Sequence, residues 1–109
     1  MALSRQALEF AAEIFNHDWS DAPFKADQAG HRRSTDRAGE VLTREETSHV
    51  RANVMLVVAQ VLGHQDPNFD PLEFAEACGV EDFTEDSIRT GLRISLAGQY
   101  ATPGTWDHM

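Results

Sequence analysis

TREETSHVRANVMLVVAQVLG, residues 43–63, decides the fold of this chain. It opens with a capping box: the Thr43 hydroxyl can accept from the amide three residues on, and the Glu46 carboxylate can reach back to the amide of Thr43. Glu45 and Glu46 fall in the first turn, where the helix dipole favours negative charge. Gly63 supplies a residue that tolerates a left-handed C-terminal conformation. Between these signals Val50, Val54, Val57, Val58, Val61 and Leu62 recur at helical spacing. Met55, Leu56 and Ala59 make the second half apolar on nearly every side, the pattern of a buried helix. The β-branched run VMLVV also suits a strand, because short apolar runs are ambiguous. Length and caps at both ends favour the helix.

Outward from this centre, residues 4–16 read as a first helix. Ser4 is its N-cap, Leu8, Ala11, Ala12, Ile14 and Phe15 repeat at helical spacing with Phe10 nearby, and Glu9 and Glu13 lie on the outer face. From 17 to 42 the periodicity stops, leaving Trp19 and Phe24 as apolar anchors in a long loop-rich segment where a short helix over 22–29 or 34–41 can form. On the other side, Asp70-Pro71 is a helix start, with Asp as N-cap and Pro at the first helical position. The helix LEFAEAC then turns Leu72, Phe74, Ala75 and Cys78 inward and stops at Gly79. Thr84 caps a fourth helix, EDSIRTGLRISLAGQY, whose Ile88, Leu92, Leu96 and Tyr100 form a four-residue stripe. Gly91 and Gly98 weaken it and point to close packing or a frayed end. Residues 101–109 read as an irregular tail in which Trp106 can fold back on the core.

The 109 residues suit one domain, and 41% hydrophobic content suffices for a core. No run approaches the roughly 18 apolar residues of a membrane span, and residues 1–15 lack the pattern of a secretory signal. One cysteine, Cys78, allows no internal disulfide, so the expected compartment is the cytoplasm. Nine basic and eighteen acidic residues give a net charge of −9, which argues against general affinity for nucleic-acid backbones.

Residues 72–92 have a helix-turn-helix rhythm, with Leu72, Ala75, Gly79, Val80, Ile88 and Leu92 near the core and turn positions of such a pair. Glu81-Asp82-Phe83 lengthens the connection, and Glu85 and Asp86 would present the acidic end of a recognition helix to phosphates. Arg89 and Arg93 come a turn or more later. Between Asp66 and Asp86 stand eight carboxylates and no Lys or Arg. They can form a negative face that docks on a basic partner; acidic residues at helix starts are also ordinary capping chemistry.

Other constellations are thinner. His17, Asp18, Asp21, Asp27 and His31 offer metal-ligand types, and Glu46 with His49 makes an i, i+3 pair, but neither group forms a convergent set of three or four. His17-Asp18 resembles the adjacent metal-binding pair of HD phosphohydrolases, without the flanking histidine and aspartate helices. His49 reads as a surface partner for Glu45 or Glu46. Arg32, Arg33 and Arg37, with Lys25 and His31, form the local positive excess of an exposed loop or of a self-complementary dimer. Cys78 reads as a small core residue. No Gly-rich phosphate loop and no GxSxG elbow are present.

The sequence therefore predicts one all-α domain over 1–109, a bundle of about four helices with a helix-turn-helix-like C-terminal pair. In size, acidity and lack of a catalytic motif the chain resembles small accessory proteins carried by phages and mobile elements. The expected function is a non-enzymatic interaction module, without cofactor or metal, that docks on a basic protein surface. Glu73, Glu76, Glu81, Asp82, Glu85 and Asp86 would dock, with Trp19 and Phe24 as anchors; homodimerisation is compatible with this. The competing expectations are a helix-turn-helix DNA-binding regulator and a metal-dependent enzyme built on the loop histidines.

Overall fold

Each described helix starts where the sequence supplies an oxygen for its first free amides. The computed structural model describes residues 3–23, 41–81 and 83–105. Its helices are α1 (Arg5–Asn16), α2 (Arg44–Gln65), α3 (Pro71–Ala77) and α4 (Glu85–Gly91). Ser4 Oγ accepts from Ala7 N at 3.1 Å to start α1. The capping box of α2 is complete: Glu46 N donates to Thr43 Oγ1 at 3.1 Å and Thr43 N to Glu46 Oε1 at 2.9 Å. Asp70 Oδ1 accepts from Leu72 N and Glu73 N at 3.0 and 3.2 Å, with Pro71 opening α3. Thr84 and Ser87 cap each other at the start of α4. These side-chain acceptors satisfy amides that a helix N-terminus leaves without partners.

The fold is a small all-α domain. α1 packs on α3 and on α2, α3 lies against α2, and α4 touches α3. Met55, Phe74, Cys78 and Ile88 are the largest side chains fully sealed from solvent, surrounded by Leu3, Ala7, Ala11, Ile14, Ala52, Ala59, Leu62, Ala75, Val80 and Leu92. Burial of a side chain such as Phe74 stabilises by about 1.5–3 kcal/mol. The small residues Ala7 and Ala11 on α1, and Ala52 and Ala59 on α2, let neighbouring backbones approach closely. Past α3, Gly79 takes φ +80, and a Cβ there would lie 2.6 Å from the Phe15 ring, so both its conformation and its contact require glycine.

Three expectations need correction. First, α2 is not buried all round: Val57 is 69% exposed and Val61 37%, whereas Gln60 is buried. α1 and α3 pack on α2, whose buried side chains include Ala52, Met55, Ala59 and Leu62, and the segment after α4 closes over Gln60 and Gly63, while Val57 and Val61 stay uncovered. The same holds on α1, where Ala7, Ala11 and Ile14 are buried while Leu8, Phe10 and Phe15 are exposed.

Second, Gly63 does not end α2, which runs one further half-turn to Gln65 with Asp66 as its C-cap. Gly63 is instead the floor on which Tyr100 rests: a Cβ at this position would overlap the ring.

Third, the helix expected over 85–100 stops at Gly91. Gln60, reaching from α2, accepts from Arg93 N at 2.9 Å and donates to Arg93 O at 3.4 Å. Arg93 O also accepts from Ala101 N at 2.9 Å, and an isolated antiparallel bridge joins Ile94 to Tyr100. Between them Gly98 turns the chain at φ +87, with its amide on Ser95 O at 2.9 Å. Leu92 is buried just past the helix, but Leu96 at the tip of the turn is fully exposed, so the stripe breaks in the middle. Gly91 is where α2 comes close: a Cβ there would lie 3.0 Å from Leu56 Cδ1.

The segment after α1 closes on the start of α2 through Leu42 N donating to Ser20 O at 2.6 Å. Phe24, the expected short helices and basic cluster within 24–40, Asp82, and Trp106 lie outside the described residues.

Candidate functional site

The acidic stretch of 66–86 is distributed around α3 and the start of α4, and its members differ in surroundings. Glu76, on α3, and Glu81, Glu85 and Asp86 are exposed. Glu85 faces Arg89 one helical turn on at 3.9 Å, a solvated pair of small energetic value. Glu76, Glu81 and Asp86 form no ion pair among the described residues. Glu73 departs from this group. It is half-buried, and its Oε1 is enclosed without a hydrogen-bond partner. Asp66 and Asp70 are occupied with local amides, Asn68 N at 2.9 Å on the former and the α3 cap on the latter.

Two cavities separate the members of this set. Glu85 lines a cavity of about 400 Å³ beside Phe69, Asp70, Ile88, Arg89 and Tyr100. Glu81 lines another of similar size against the N-terminal half of α2, beside Arg44 and Arg51. The first is walled by the same ring that rests on Gly63. Burial raises the Tyr100 phenol above its ordinary range, Arg89 pulls it back, and Asp70 adds a smaller upward push.

Trp19 is half-buried against the core rather than presented at a tip. Its indole N–H donates to Ile14 O at 3.0 Å, and its ring tilts over His17 with centroids 4.1 Å apart. It thereby fastens the turn that leaves α1, with Ser20 Oγ donating to Asp18 Oδ1 at 2.6 Å just beyond.

The remaining chemistry-bearing residues do not converge. Among the described residues no three His, Cys, Asp or Glu side chains gather in a metal-holding arrangement, and Asp27 and His31 lie outside those residues. Glu46 is turned back into the α2 capping box, which takes it away from the role expected for it beside His49. Cys78 is fully buried, and burial pushes its thiol up to about 12 against the opposing pull of Arg51. A thiol in that state is neutral at physiological pH and a poor nucleophile. What the sequence reading missed is Gln60, lost within an apolar run although a polar residue among valines was the available signal. Also missed was the cavity that Arg44 and Arg51 line: their spacing of seven puts both on one helix face, but the walls come from Ser20, Leu42, Gly79 and Glu81, which no local pattern brings there.

The C-terminal helix pair is shorter than a helix-turn-helix of the expected kind. α3 and α4 have seven residues each, and residues 78–84 separate them where that motif uses a turn of about three or four residues. No helix among the described residues is long and apolar enough to cross a membrane. Comparison of the chain with protein-family models, with curated proteins and with solved structures yields no match.

Proposed function

We propose that this chain is a non-enzymatic interaction module that docks on a basic protein surface through the carboxylates of α3, the connector 78–84 and the first turn of α4. The observation that carries the reading is the exposure of Glu76, Glu81 and Asp86 without a cation among the described residues, in a chain of net charge −9. An unneutralised negative surface raises the encounter rate with a basic partner and repels acidic ones. The contribution is screened by salt beyond about 10 Å at 0.1 M.

The test compares the wild-type chain with a Glu76→Lys, Asp86→Lys variant, both used to capture partners from nuclease-treated lysate at low salt. The captured protein is then purified and its affinity measured for both chains. The expected result is a basic protein that binds the wild type, loses affinity about tenfold or more for the variant, and dissociates as salt rises. Equal affinity for the two chains, or binding indifferent to salt, removes this face from the account. Nucleic acid recovered only without nuclease, with affinity lowered by Arg89→Ala and Arg93→Ala, would favour the helix-turn-helix alternative instead.

A further inference from the structure

The N-terminal half of α2 carries a feature of opposite sign to the acidic stretch. Arg44 and Arg51 line one cavity of about 400 Å³, and among the described residues neither guanidinium forms an ion pair or a hydrogen bond. Arg51 Nε is enclosed, with no acceptor within reach. A guanidinium cannot shed its proton at any ordinary pH, so this donor stays charged whether or not it is satisfied. A buried charged donor without an acceptor is unfavourable; the terminal nitrogens of the same guanidinium are not enclosed and are the ones a molecule in the cavity can reach.

The local arrangement supplies donors and few acceptors. Arg44, Ser48 and Arg51 stand at i, i+4 and i+7 of α2, one above another on a single face. The Thr47 hydroxyl, also at the cavity, already donates to Thr43 O at 2.8 Å, and that of Ser20 to Asp18. The Ser48 hydroxyl has no such commitment. Among the described residues Glu81 is the single carboxylate lining this cavity, and it pairs with neither arginine. Two planar guanidinium forks and a hydroxyl match an anion with several acceptor oxygens better than a carboxylate with two.

We propose that this cavity binds a phosphate-type oxyanion, free or as a small phosphomonoester, held by Arg51 and Arg44 with Ser48, and that Glu81 at its edge weakens the binding by like charge. An adjoining cavity shares Arg44, Ser48 and Glu81, adds a second carboxylate, Glu45, with His49, and has apolar walls at Val80 and Phe83, where the organic part of an ester would lie. The cavity shares Glu81 with the proposed docking face, whose other exposed carboxylates, Glu76 and Asp86, do not line it.

The experiment is a titration of the whole chain with inorganic phosphate at constant ionic strength, followed by amide and Arg Nε–H chemical shifts, with chloride as control. Saturable shifts at Arg44, Ser48 and Arg51, absent with chloride, are expected. Arg51→Gln should weaken binding at least tenfold and Glu81→Gln should tighten it several-fold. Arg44→Gln, at an exposed position, gives the same loss without risk to the fold. Glycerol phosphate binding more tightly than inorganic phosphate would assign the ester as ligand, and equal binding would assign the free ion. Shifts that do not saturate, or that survive both arginine substitutions, overturn the proposal. So does a Glu81→Gln chain that melts at a lower temperature without binding phosphate better, since Glu81 would then be the partner of Arg51.

Discussion

Residues 43–63 and residues 84–100 begin alike and end differently. Both open with a threonine cap and two acidic residues, and both carry apolar residues at helical spacing. The first continues as helix to Gln65, whereas the second leaves the helix after Gly91 and turns back on itself. The cause lies in the first region acting on the second. Gln60 takes both main-chain groups of Arg93, Gly63 receives the Tyr100 ring, and Leu56 closes on Gly91. Local periodicity held where nothing competed for the backbone, and gave way where a buried side chain of α2 offered a better partner.

The largest expected effect comes from blocking the seat of Tyr100. Gly63→Val places a Cβ and two methyls where the ring now sits, and should destabilise the chain by about 3 kcal/mol, read from urea unfolding. A loss below about 0.5 kcal/mol would mean that the turn does not rest on α2 at all. Gln60→Leu comes next. It leaves the half-buried Arg93 amide without its acceptor, at about 2 kcal/mol, and should accelerate hydrogen exchange at Arg93 and Ala101 while α2 stays protected.

Tyr100 reports the same detachment, because it is the only tyrosine in the chain. Burial raises its phenol above 10.0, so the neutral form is favoured by folding. The associated stability is complete below pH 10 and is lost as pH rises through the folded value. Cys78 behaves likewise: with its thiol raised from 9.0 to about 12, stability from the neutral form is complete below pH 9 and lost from there upward. Ultraviolet titration should therefore show phenolate appearing above pH 10 in the wild type and closer to 10 in Gln60→Leu. Coincident midpoints would show that the substitution leaves the turn in place.

Thr43→Ala sharpens the other side of the comparison. It removes one half of the α2 capping box and should cost about 1 kcal/mol without changing exchange in the 93–101 turn. Smallest of all is Val57→Thr on the uncovered face of α2, expected within about 0.5 kcal/mol by thermal melting. A larger loss there would show that this valine is covered in solution.

The helix starts were legible because capping chemistry is local: Ser4, Thr43, Asp70 and Thr84 each bond amides two or three residues away, and their oxygens need no help from the rest of the fold. The candidate site was legible only in kind. The exposed carboxylates Glu76, Glu81, Glu85 and Asp86 follow from composition, but the division of Glu81 and Glu85 between two cavities depends on how α2, α3 and α4 meet. The glycines show the same limit: Gly79 does turn the chain after α3, whereas Gly63 and Gly91 are small because another element's side chain occupies the space beside them.

Sequence by itself determined that the chain is all-α, where each helix begins, and that its surface is strongly acidic, since these rest on bonds and charges within a few residues of one another. Tertiary structure alone decided which face of α2 is covered, where α4 stops, and that Arg44 and Arg51 line one cavity without an ion pair among the described residues. Those outcomes are set by contacts between residues such as Gln60 and Arg93, thirty-three positions apart, and no local pattern encodes which of two distant groups will bury the other.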